Sequence, residues 1–428
     1  MNYYIITYGC QVNHSDSERI ATVLEKMGYK ITLKLDKANL VVVNMCSIRQ
    51  SAVDRIFGQS QKFNKLKTLN PKLKTLLTGC ILKNDFKKFK NHFDFILSKN
   101  TLSHWPKILK EKGSLIQPRQ INKSDCQYLK IKPKYSNNFS ACVPISIGCN
   151  NFCSYCVVPY LRGPLACRPY KNILKEAKNL IKKGFKEIWL LGENVNDYHS
   201  QKINFAKLLK ITAGLNGNFW LRFTSPNPKD FSDELIDVIA KCKKITHYLN
   251  LPVQSGDNKI LKRMNRNYTI EKYKNLVKKI RKKIPDITLS TDVIVGFPGE
   301  TRKQFENTVK LFKQIKFDMA YIAKYSPRPQ TTALKLKDNV SKKEKKRREK
   351  VLFEILKETA QDQNKKYIGK TVEVLNNKTK GRFLIGKTKT YKTVKFQAPS
   401  SKFQNLIGQF VKVKIIDAMP WGLKGELI

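Results

Sequence analysis

The sequence has few acidic residues for its length. Its 428 residues include 33 Asp and Glu against 83 Lys and Arg, which gives a formal net charge of +50. Solubility does not require so large an excess, and a strongly basic surface attracts phosphate backbones through counterion release. A coding bias towards lysine would produce the same count with solvated side chains. We favour a nucleic-acid partner.

Long apolar runs and an export signal are also missing. Near the N-terminus the longest aliphatic run covers residues 40–43, far short of the roughly 20 residues of a membrane-spanning helix. The opening residues contain neither a basic segment nor a long apolar one, so we expect a cytoplasmic protein with no membrane partner. The ten cysteines should then be reduced or metal-bound, and not paired in structural disulfides.

The first part of the chain alternates between short apolar runs and amphipathic segments. This pattern predicts an N-terminal parallel α/β domain over residues 1–125, with strands at 3–8, 40–44, 73–78 and 93–97 and helices at 15–27 and 52–66. Cys10, Cys46 and Cys80 follow the first three strands. Because the carboxyl ends of parallel strands lie along one edge, we expect a shared metal site there. Three unconnected, half-buried cysteines are the alternative.

A second βα series predicts a partial (β/α)6 TIM-like barrel over residues 135–365, with its site at the carboxyl ends of the strands. The expected strands are 141–147, 187–191, 220–224, 247–251, 288–295 and 319–325, and the expected helices are 171–183, 205–215, 233–241, 270–284 and 302–315. Residues 102–140, which include Pro118, should form a linker between the domains. We interpret the charged segment 341–365 as a solvated connecting helix.

The last segment, residues 366–428, changes character. Short alternating runs at 371–375, 383–387, 393–396 and 410–416 predict a small β-barrel. It holds 13 Lys and Arg against 3 Asp and Glu. A small basic barrel is suited to binding RNA, although a purely structural module remains the alternative.

The most specific motif is the CxxxCxxC spacing of Cys149, Cys153 and Cys156, directly after the first strand of the predicted barrel. Three thiolates in one loop can hold three irons of a [4Fe–4S] cluster and leave the fourth iron open to substrate. A zinc site would need a fourth ligand, and no suitable residue stands nearby in the sequence. We therefore favour an iron–sulfur cluster.

The strings YGCQVNHSDSERI, CSYCVVPYLRG, LPVQSGDNKILKRMNRNYT, STDVIVGFPGET and YSPRPQT resemble those of the methylthiotransferase family of radical S-adenosylmethionine (SAM) enzymes. The resemblance runs from Cys10 to the C-terminus, where the segment is similar to a TRAM domain. It is greatest to the branch that adds a methylthio group to carbon 2 of isopentenyl-adenosine next to the anticodon of tRNA. Relatives that modify a ribosomal-protein aspartate or threonylcarbamoyl-adenosine in tRNA are alternatives, and a zinc-holding RNA-binding protein is an alternative from another class.

The resemblance implies two [4Fe–4S] clusters. Cys149, Cys153 and Cys156 would hold the cluster that binds SAM, and Cys10, Cys46 and Cys80 would hold a second cluster that carries sulfur. It also implies cofactor contacts at the carboxyl ends of two barrel strands, at Gly192, Glu193, Gly296 and Gly299. For Gly192 and Glu193, a polar βα turn without a cofactor role is the alternative. The expected partners are tRNA, a reductant such as flavodoxin or ferredoxin, and a sulfur donor. We expect a monomer.

The sequence departs from the family pattern at three positions: Cys167 replaces Ser, Glu193 replaces Gln, and Gln330 replaces Gly. Cys167 adds a thiol near the cluster loop, but we expect it to be a spectator, together with Cys126, Cys142 and Cys242. Gln330 should perturb a turn.

Arg162 follows the cluster loop and is a candidate to bind a cofactor carboxylate or an RNA phosphate, with a plain surface arginine as the alternative.

Overall fold

A computed structural model describes residues 1–48, 50–110, 127–397 and 403–428. These residues form an N-terminal α/β sheet, an open half-barrel and a small closed β-barrel, which confirms the predicted fold class. In this described part of the chain, no helix combines the length and the apolar character needed to cross a membrane. Cys126, an expected spectator, and Pro118 of the expected linker lie outside the described residues.

The N-terminal unit is a five-stranded parallel sheet in the order β2-β1-β3-β4-β5. Its strands are β1 Asn2–Tyr8, β2 Lys30–Ile31, β3 Leu40–Cys46, β4 Lys74–Cys80 and β5 Phe95–Ile96. Apolar side chains cover both faces, as expected for a buried parallel sheet. One face packs on helices α1 Gln11–Lys26 and α4 Trp105–Lys110, and the other packs on α2 Gln50–Leu69 and α3 Lys83–Phe89.

Helix α1 begins at Gln11 and not at residue 15 as predicted. Its first turn carries Asn13 and His14 and has no apolar periodicity, so sequence reasoning could not include it. Asn13 is nevertheless fully buried. Two hydrogen bonds offset the cost of burying its amide, which donates to the Asn44 side chain at 3.0 Å and to the Met45 carbonyl oxygen at 3.2 Å. These bonds fix the start of α1 beside the end of β3.

The half-barrel consists of six parallel strands in sequential order. They are β6 Ser140–Pro144, β9 Glu187–Leu191, β12 Trp220–Phe223, β13 Tyr248–Asn250, β14 Thr288–Val295 and β15 Met319–Lys324. A parallel bridge between Leu221 and Ile245 joins the first three strands to the last three. Helices on the outside bury one large apolar core against the strands; they are α6 Tyr170–Lys182, α7 Phe205–Ala213, α8 Asp233–Lys241, α10 Ile270–Lys283 and α11 Arg302–Ile315, with short helices α5 Val158–Arg162 and α9 Asn258–Arg263 in loops.

The predicted first strand, 141–147, is wrong as a single element. The chain turns at Ile145, and residues Ser146–Ile147 form β7, which pairs antiparallel with β8 Ala166–Cys167. The peptide N–H of Arg168 donates to the Ile145 carbonyl oxygen at 2.8 Å. This bond and the β7–β8 pair hold together the two ends of the loop that carries Cys149, Cys153 and Cys156. A second short antiparallel pair, β10 His199–Ser200 and β11 Ile203–Asn204, follows β9.

Helix α12 Lys342–Lys365 is not the solvated connector that its charge suggested. Leu352 and Leu356 are buried in the core of the half-barrel. The buried Arg348 donates to the Glu300 carboxylate at 2.6 Å. At the other end, the Gln361 side chain donates to the Ala418 carbonyl oxygen at 2.7 Å. The helix therefore fixes the half-barrel to the C-terminal barrel.

The C-terminal unit is a closed five-stranded barrel in the order β16-β17-β18-β20-β19, as predicted. Its strands are β16 Thr371–Lys380, β17 Phe383–Thr388, β18 Thr393–Gln397, β19 Phe410–Met419 and β20 Gly422–Leu427, with the short helix α13 Phe403–Leu406 before β19. The sequence analysis missed β20. Its glycines are places of close packing: a Cβ at Gly425 would lie 2.3 Å from the Val413 side chain.

The turn between β17 and β18 inserts into the half-barrel. Tyr391 packs edge-on against Trp189 with ring centroids 5.3 Å apart, and its ring lies tilted against that of Tyr248 with centroids 4.5 Å apart. The fully buried Arg222 pairs with Glu187 at 2.6 Å and donates to the carbonyl oxygens of Thr388 and Lys389, at 3.0 and 3.1 Å. The basic barrel is thus held by buried contacts in a fixed position.

Candidate active site between two cysteine trios

The N-terminal trio, Cys10, Cys46 and Cys80, lies along one edge of the sheet as predicted. Cys46 and Cys80 end the adjacent strands β3 and β4 and are direct partners in the strand register. Cys10 follows β1, the other neighbour of β3, and stands at the N-cap of α1. Cys46 and Cys80 are buried and Cys10 is exposed. Strand order therefore places the three cysteines on the same edge of the sheet.

Charges from both units act on this trio. A hydrogen bond from the Cys46 thiol, together with the Arg162 and Lys99 cations, holds the pKa of Cys80 well below its usual value. The same hydrogen bond, aided by burial, raises the pKa of Cys46. A thiolate is the form of cysteine that binds metal ions. The electrostatics at Cys80 thus suit a metal ligand.

The barrel trio, Cys149, Cys153 and Cys156, lies in the loop between β7 and α5. Gly148 opens this loop at a φ of 77°, and a Cβ there would lie 2.2 Å from the Pro164 carbonyl oxygen; only glycine fits. Two side chains donate to the sulfurs: the Asn151 amide to Cys149 at 3.4 Å and the Arg266 guanidinium to Cys153 at 3.6 Å. Hydrogen bonds to cysteine sulfur are a feature of iron–sulfur sites.

Burial raises the pKa of Cys156 to about 12 and also raises that of Cys149. These thiols therefore need a nearby positive charge, such as iron, to ionise. In the described ranges, no three His, Cys, Asp or Glu side chains converge as the ligands of one metal ion would. A [4Fe–4S] cluster does not require such convergence, because each thiolate binds a different iron. The donor set of each trio fits a cluster with one open iron.

A buried polar cluster connects the two trios. We call it the interdomain polar cluster: Asp16, Lys99 and Tyr128 from the N-terminal part and Arg162 and Glu193 from the half-barrel. Asp16 accepts from Lys99 at 2.7 Å and from Tyr128 at 2.9 Å. Arg162 lies 3.1 Å from the Glu193 carboxylate and 3.8 Å from that of Asp16. Arg162 is thus a buried residue, so the interpretation as a surface arginine is wrong.

The charges of this cluster influence one another. Burial opposes the ionisation of Asp16, but Lys99 and Arg162 hold the pKa of Asp16 below its usual value. Burial raises the pKa of Glu193 against the opposing effect of Arg162. The Glu193 carboxylate in turn contributes to the raised pKa of Cys149, and Cys80 contributes to that of Glu193. Glu193 therefore interacts electrostatically with both trios.

The predicted cofactor contacts fall into two groups. Glu193 is a member of the interdomain polar cluster, and Gly192 directly precedes it. A Cβ at Gly192 would lie 2.7 Å from the Ser146 hydroxyl. Gly296 and Gly299 are engaged elsewhere: the Gly296 N–H donates to Glu300 at 2.6 Å and the Gly299 N–H donates to Asn339 at 2.7 Å. Both have a positive φ that favours glycine. The role of all four as cofactor contacts stays a prediction.

The departures from the family pattern are local. The Cys167 sulfur accepts the His199 N–H at 3.5 Å, and Cys142 and Cys242 are partly buried among apolar side chains. Gln330 adopts a φ of 70°, a left-handed conformation that glycine adopts at less cost. The turn therefore keeps the backbone suited to glycine while it carries a glutamine.

Sequence reasoning missed several residues that the fold brings to the trios. Arg266 lies within the string LPVQSGDNKILKRMNRNYT, but only the fold places its guanidinium at Cys153. Arg328, in YSPRPQT, is buried and donates to Gln50 at 2.9 Å, near the end of β3. Asp16 is in the string that begins at Tyr8. The motif strings were thus the only available signal, and they do not reveal which side chains point inward.

Three family models match the chain: the uncharacterized protein family UPF0004 at residues 2–98, the Radical SAM superfamily at 143–312 and the TRAM domain at 365–428. Among solved structures, the radical SAM methyltransferase TsrM from Kitasatospora setae is similar, with a TM-score of 0.58 at 13% identity over 78% of this chain and 74% of that chain. At this identity the likeness concerns the fold alone. Fold and site together define a radical SAM enzyme, and this superfamily implies SAM and a [4Fe–4S] cluster.

Curated relatives resolve the class further. A tRNA-2-methylthio-N(6)-dimethylallyladenosine synthase of Clostridium botulinum is 40% identical over 448 residues, which cover 100% of this chain and 97% of the relative. The synthase of Carboxydothermus hydrogenoformans is also 40% identical, over 100% of this chain and 99% of the relative. The chain belongs to the family of tRNA-2-methylthio-N(6)-dimethylallyladenosine synthases.

Proposed function

We propose that this protein adds a methylthio group to carbon 2 of a dimethylallyl-adenosine, also called isopentenyl-adenosine, next to the anticodon of tRNA. The observation that carries the proposal is the pair of cysteine trios on two different units, together with the ion pair of the buried Arg162 and the largely buried Glu193. Full-length similarity to synthases named for this product supports the choice of tRNA over the alternatives.

The half-barrel, within residues 135–365, holds the first cluster on Cys149, Cys153 and Cys156. When bound there, the cluster and SAM supply a 5′-deoxyadenosyl radical by one-electron reductive cleavage. Asn151 and Arg266 orient the sulfurs through their N–H groups. Glu193 offers a carboxylate acceptor for the cofactor's amino group, since its Oε2 has no hydrogen-bond partner in the described part of the chain. The absence of a side chain at Gly192 allows close approach beside it.

The N-terminal domain, residues 1–125, holds the second cluster on Cys10, Cys46 and Cys80. Two buried cations, Arg162 and Lys99, favour the thiolate of Cys80 and so favour cluster binding. A cluster held by these three cysteines would supply an open iron able to carry the sulfur that is transferred. SAM would supply the methyl group and, through reductive cleavage at the first cluster, the radical needed at the adenine carbon. An external sulfur donor and a reductant such as flavodoxin or ferredoxin complete the reaction.

The C-terminal barrel, residues 366–428, binds the tRNA backbone. The hairpin between β16 and β17 carries Lys378, Lys380 and Arg382, all exposed. Exposed cations at a hairpin tip are free to pair with phosphates. Tyr391 and Arg222 make buried contacts between the half-barrel and the turn that joins β17 to β18. These contacts fix the C-terminal barrel, and with it this hairpin, relative to the half-barrel. We further propose a monomer that acts in the cytoplasm.

Two triple variants test the division of labour. Replacement of Cys149, Cys153 and Cys156 by Ala should leave about half of the iron and abolish SAM cleavage. Replacement of Cys10, Cys46 and Cys80 by Ala should also leave about half of the iron, but SAM cleavage should persist while methylthio transfer is lost. Iron, sulfide and 5′-deoxyadenosine are measured after anaerobic reconstitution.

Two outcomes would contradict this proposal. One is full iron content in either triple variant, because then the six cysteines would not hold two clusters. The other is complete loss of SAM cleavage in the Cys10, Cys46 and Cys80 variant, because then the two trios would not have separate roles. A colourless protein that contains zinc would instead support an RNA-binding module without redox chemistry.

A further inference from the structure

Two exposed aromatic side chains lie against each other where helix α12 meets the C-terminal barrel. Phe353 of α12 is 45% exposed, and Trp421, in the turn between β19 and β20, is 44% exposed. Their ring centroids are 5.4 Å apart, with an angle of 37° between the ring planes. Because nearly half of each ring stays in solvent, packing between the two units does not account for this pair. Adjacent exposed apolar rings are typical of an interaction surface.

The position of Trp421 is fixed by hydrogen bonds that do not involve its ring. The buried side chain of Asn364, on α12, donates to the carbonyl oxygens of Met419 and Pro420 at 2.7 and 3.1 Å. These bonds hold the turn against the helix. The Trp421 ring is therefore presented at a defined place, and a ligand that binds it does not first have to order the turn.

Three lysines surround Phe353 on one side of α12. Exposed lysines lie seven and three residues before Phe353 and four residues after it: Lys346, Lys350 and Lys357. These spacings place the four side chains on one face of an α-helix. We call Lys346, Lys350, Phe353 and Lys357 the α12 stripe. At about 1.5 Å per residue, the stripe is about 16 Å long. The acidic Glu354 lies on its flank, about 100° around the helix from Phe353.

The α12 stripe extends from the active-site end of the half-barrel towards the C-terminal barrel. Its first lysine follows Lys345, whose side chain packs so closely on Gly296 that a Cβ there would lie 2.4 Å away. Gly296 directly follows β14, at the end of the strand where the site lies. Glu349, on the other flank of the stripe, is paired with Lys324 at 2.5 Å. The stripe therefore carries a positive charge that suits a phosphate backbone.

We propose that Phe353 and Trp421 form a stacking platform for an unpaired base of the tRNA, and that the three lysines of the α12 stripe bind the adjoining phosphates. This inference rests on the proposed function, which identifies the RNA. Aromatic rings beside a row of cations are the features with which proteins bind single-stranded nucleic acids. An unpaired base can lie on an aromatic ring, whereas a paired base remains stacked in its helix. The platform therefore selects a loop of the tRNA over a double-helical stem.

Tryptophan fluorescence tests the platform directly. The other three tryptophans of the chain, Trp105, Trp189 and Trp220, are no more than 4% exposed, so RNA in solution has access to Trp421 alone. The full-length reconstituted protein is titrated anaerobically with an anticodon stem–loop RNA. We expect saturable quenching as a base stacks on the Trp421 ring. A fully paired RNA duplex with the same number of phosphates should bind with little quenching.

Trp421→Phe and Trp421→Leu are a matched pair of variants. Each removes the exposed fluorescent ring, so binding of the stem–loop is measured by filter binding. Trp421→Phe keeps an aromatic face and should bind within about 3-fold of the unmodified protein, whereas Trp421→Leu should bind about 10-fold more weakly, the loss expected for one stacked base. Affinity for the duplex should be the same in both variants. Because Trp421 is half exposed, neither substitution disturbs a buried core.

Replacement of the three lysines of the α12 stripe by Gln tests the phosphate contacts. The salt slope of stem–loop binding should fall by about 2, while saturating RNA should still quench Trp421. The control is the same replacement of Lys272, Lys278 and Lys282, which are exposed on α10. It makes an equal change in net charge and should leave the slope nearly unchanged. An equal fall in both variants would overturn the phosphate contacts assigned to the stripe.

Other outcomes would overturn the platform itself. One is binding of the stem–loop with no change in Trp421 fluorescence, and another is equal affinity in Trp421→Leu and Trp421→Phe. A dimer of the chain that Trp421→Leu dissociates in analytical ultracentrifugation would assign the two rings to a contact between copies and would also overturn it. Failure of the proposed function is a separate result. Quenching by the stem–loop without methylthio transfer would overturn the function and support the platform, and transfer without quenching would do the reverse.

Discussion

Arg222 should control the position of the C-terminal barrel. Its guanidinium is fully buried, pairs with Glu187 at 2.6 Å and donates to two carbonyl oxygens of the turn at Thr388 and Lys389. Arg222→Met removes these bonds and leaves the Glu187 carboxylate, within the described ranges of the chain, with the Ser140 hydroxyl as its one remaining donor. Loss of one partner from a buried ion pair costs about 3–5 kcal/mol.

The assay is hydrogen exchange at the inserted turn. The N–H of Lys392 donates to the Thr388 hydroxyl at 3.0 Å and reports opening of this turn. A cost of about 3 kcal/mol, if it falls on the docking of the barrel, speeds exchange there roughly 100-fold. We also expect kcat/KM for tRNA to fall, while SAM cleavage without RNA is unchanged.

The double variant Arg222→Met with Glu187→Gln is the matched control. It leaves no buried carboxylate unpaired, so it should recover a large part of the lost stability. Exchange at Lys392 that stays as slow in Arg222→Met as in the unmodified protein would refute the reasoning. Equal exchange in the single and double variants would show that the unpaired Glu187 is not the source of the cost.

Three further predictions concern stability and RNA binding. Gln330→Gly should stabilise the protein by about 0.5–1 kcal/mol in chemical denaturation, since it relieves a left-handed φ at some cost in chain entropy. Burial and Arg222 lower the pKa of Lys387 to about 8, so the unfolded chain binds more protons between about pH 8 and 10.5. Stability should therefore rise over that range by on the order of 2 kcal/mol, and Lys387→Met should abolish the rise. Replacement of Lys378, Lys380 and Arg382 by Gln should weaken tRNA binding and reduce the salt slope by about 2–3, as measured by filter binding from low to moderate salt.

The hairpin experiment needs a control with the same change in net charge. Exposed Lys272, Lys278 and Lys282 on α10 provide it, and their replacement by Gln should leave the salt slope of tRNA binding nearly unchanged. Removal of the whole C-terminal barrel would be a poorer test, because Tyr391 and Phe410 of the barrel pack on Trp189 and Trp220. It would also take the carbonyl acceptors from Arg222.

The sequence was most informative where local pattern and topology coincide. Apolar strands followed by a cysteine placed Cys10, Cys46 and Cys80 on one edge, because parallel strands share a direction. The CxxxCxxC spacing likewise predicts an iron–sulfur site from local sequence alone. These inferences needed no knowledge of distant contacts.

The remaining features depend on contacts between distant residues. Helix α12 was misinterpreted because its buried face includes Lys345 and Arg348, whose partners Asp338 and Glu300 are not evident from helical periodicity. Likewise, Arg162 reads as an ordinary surface cation until α1 and β9 supply Asp16 and Glu193. Burial of charge is decided by tertiary packing, which composition and periodicity do not encode.

The central claim is the identity of the product. Reconstituted protein is incubated anaerobically with reductant, SAM, a sulfur source and tRNA that carries or lacks the dimethylallyl group, and the nucleosides are analysed by mass spectrometry. We expect a methylthio group on carbon 2 of the prenylated adenosine, with one S-adenosylhomocysteine and one 5′-deoxyadenosine per turnover, and little product from unprenylated tRNA. Equal reaction with unprenylated tRNA, or transfer to a ribosomal-protein aspartate or to threonylcarbamoyl-adenosine instead, would contradict the assignment.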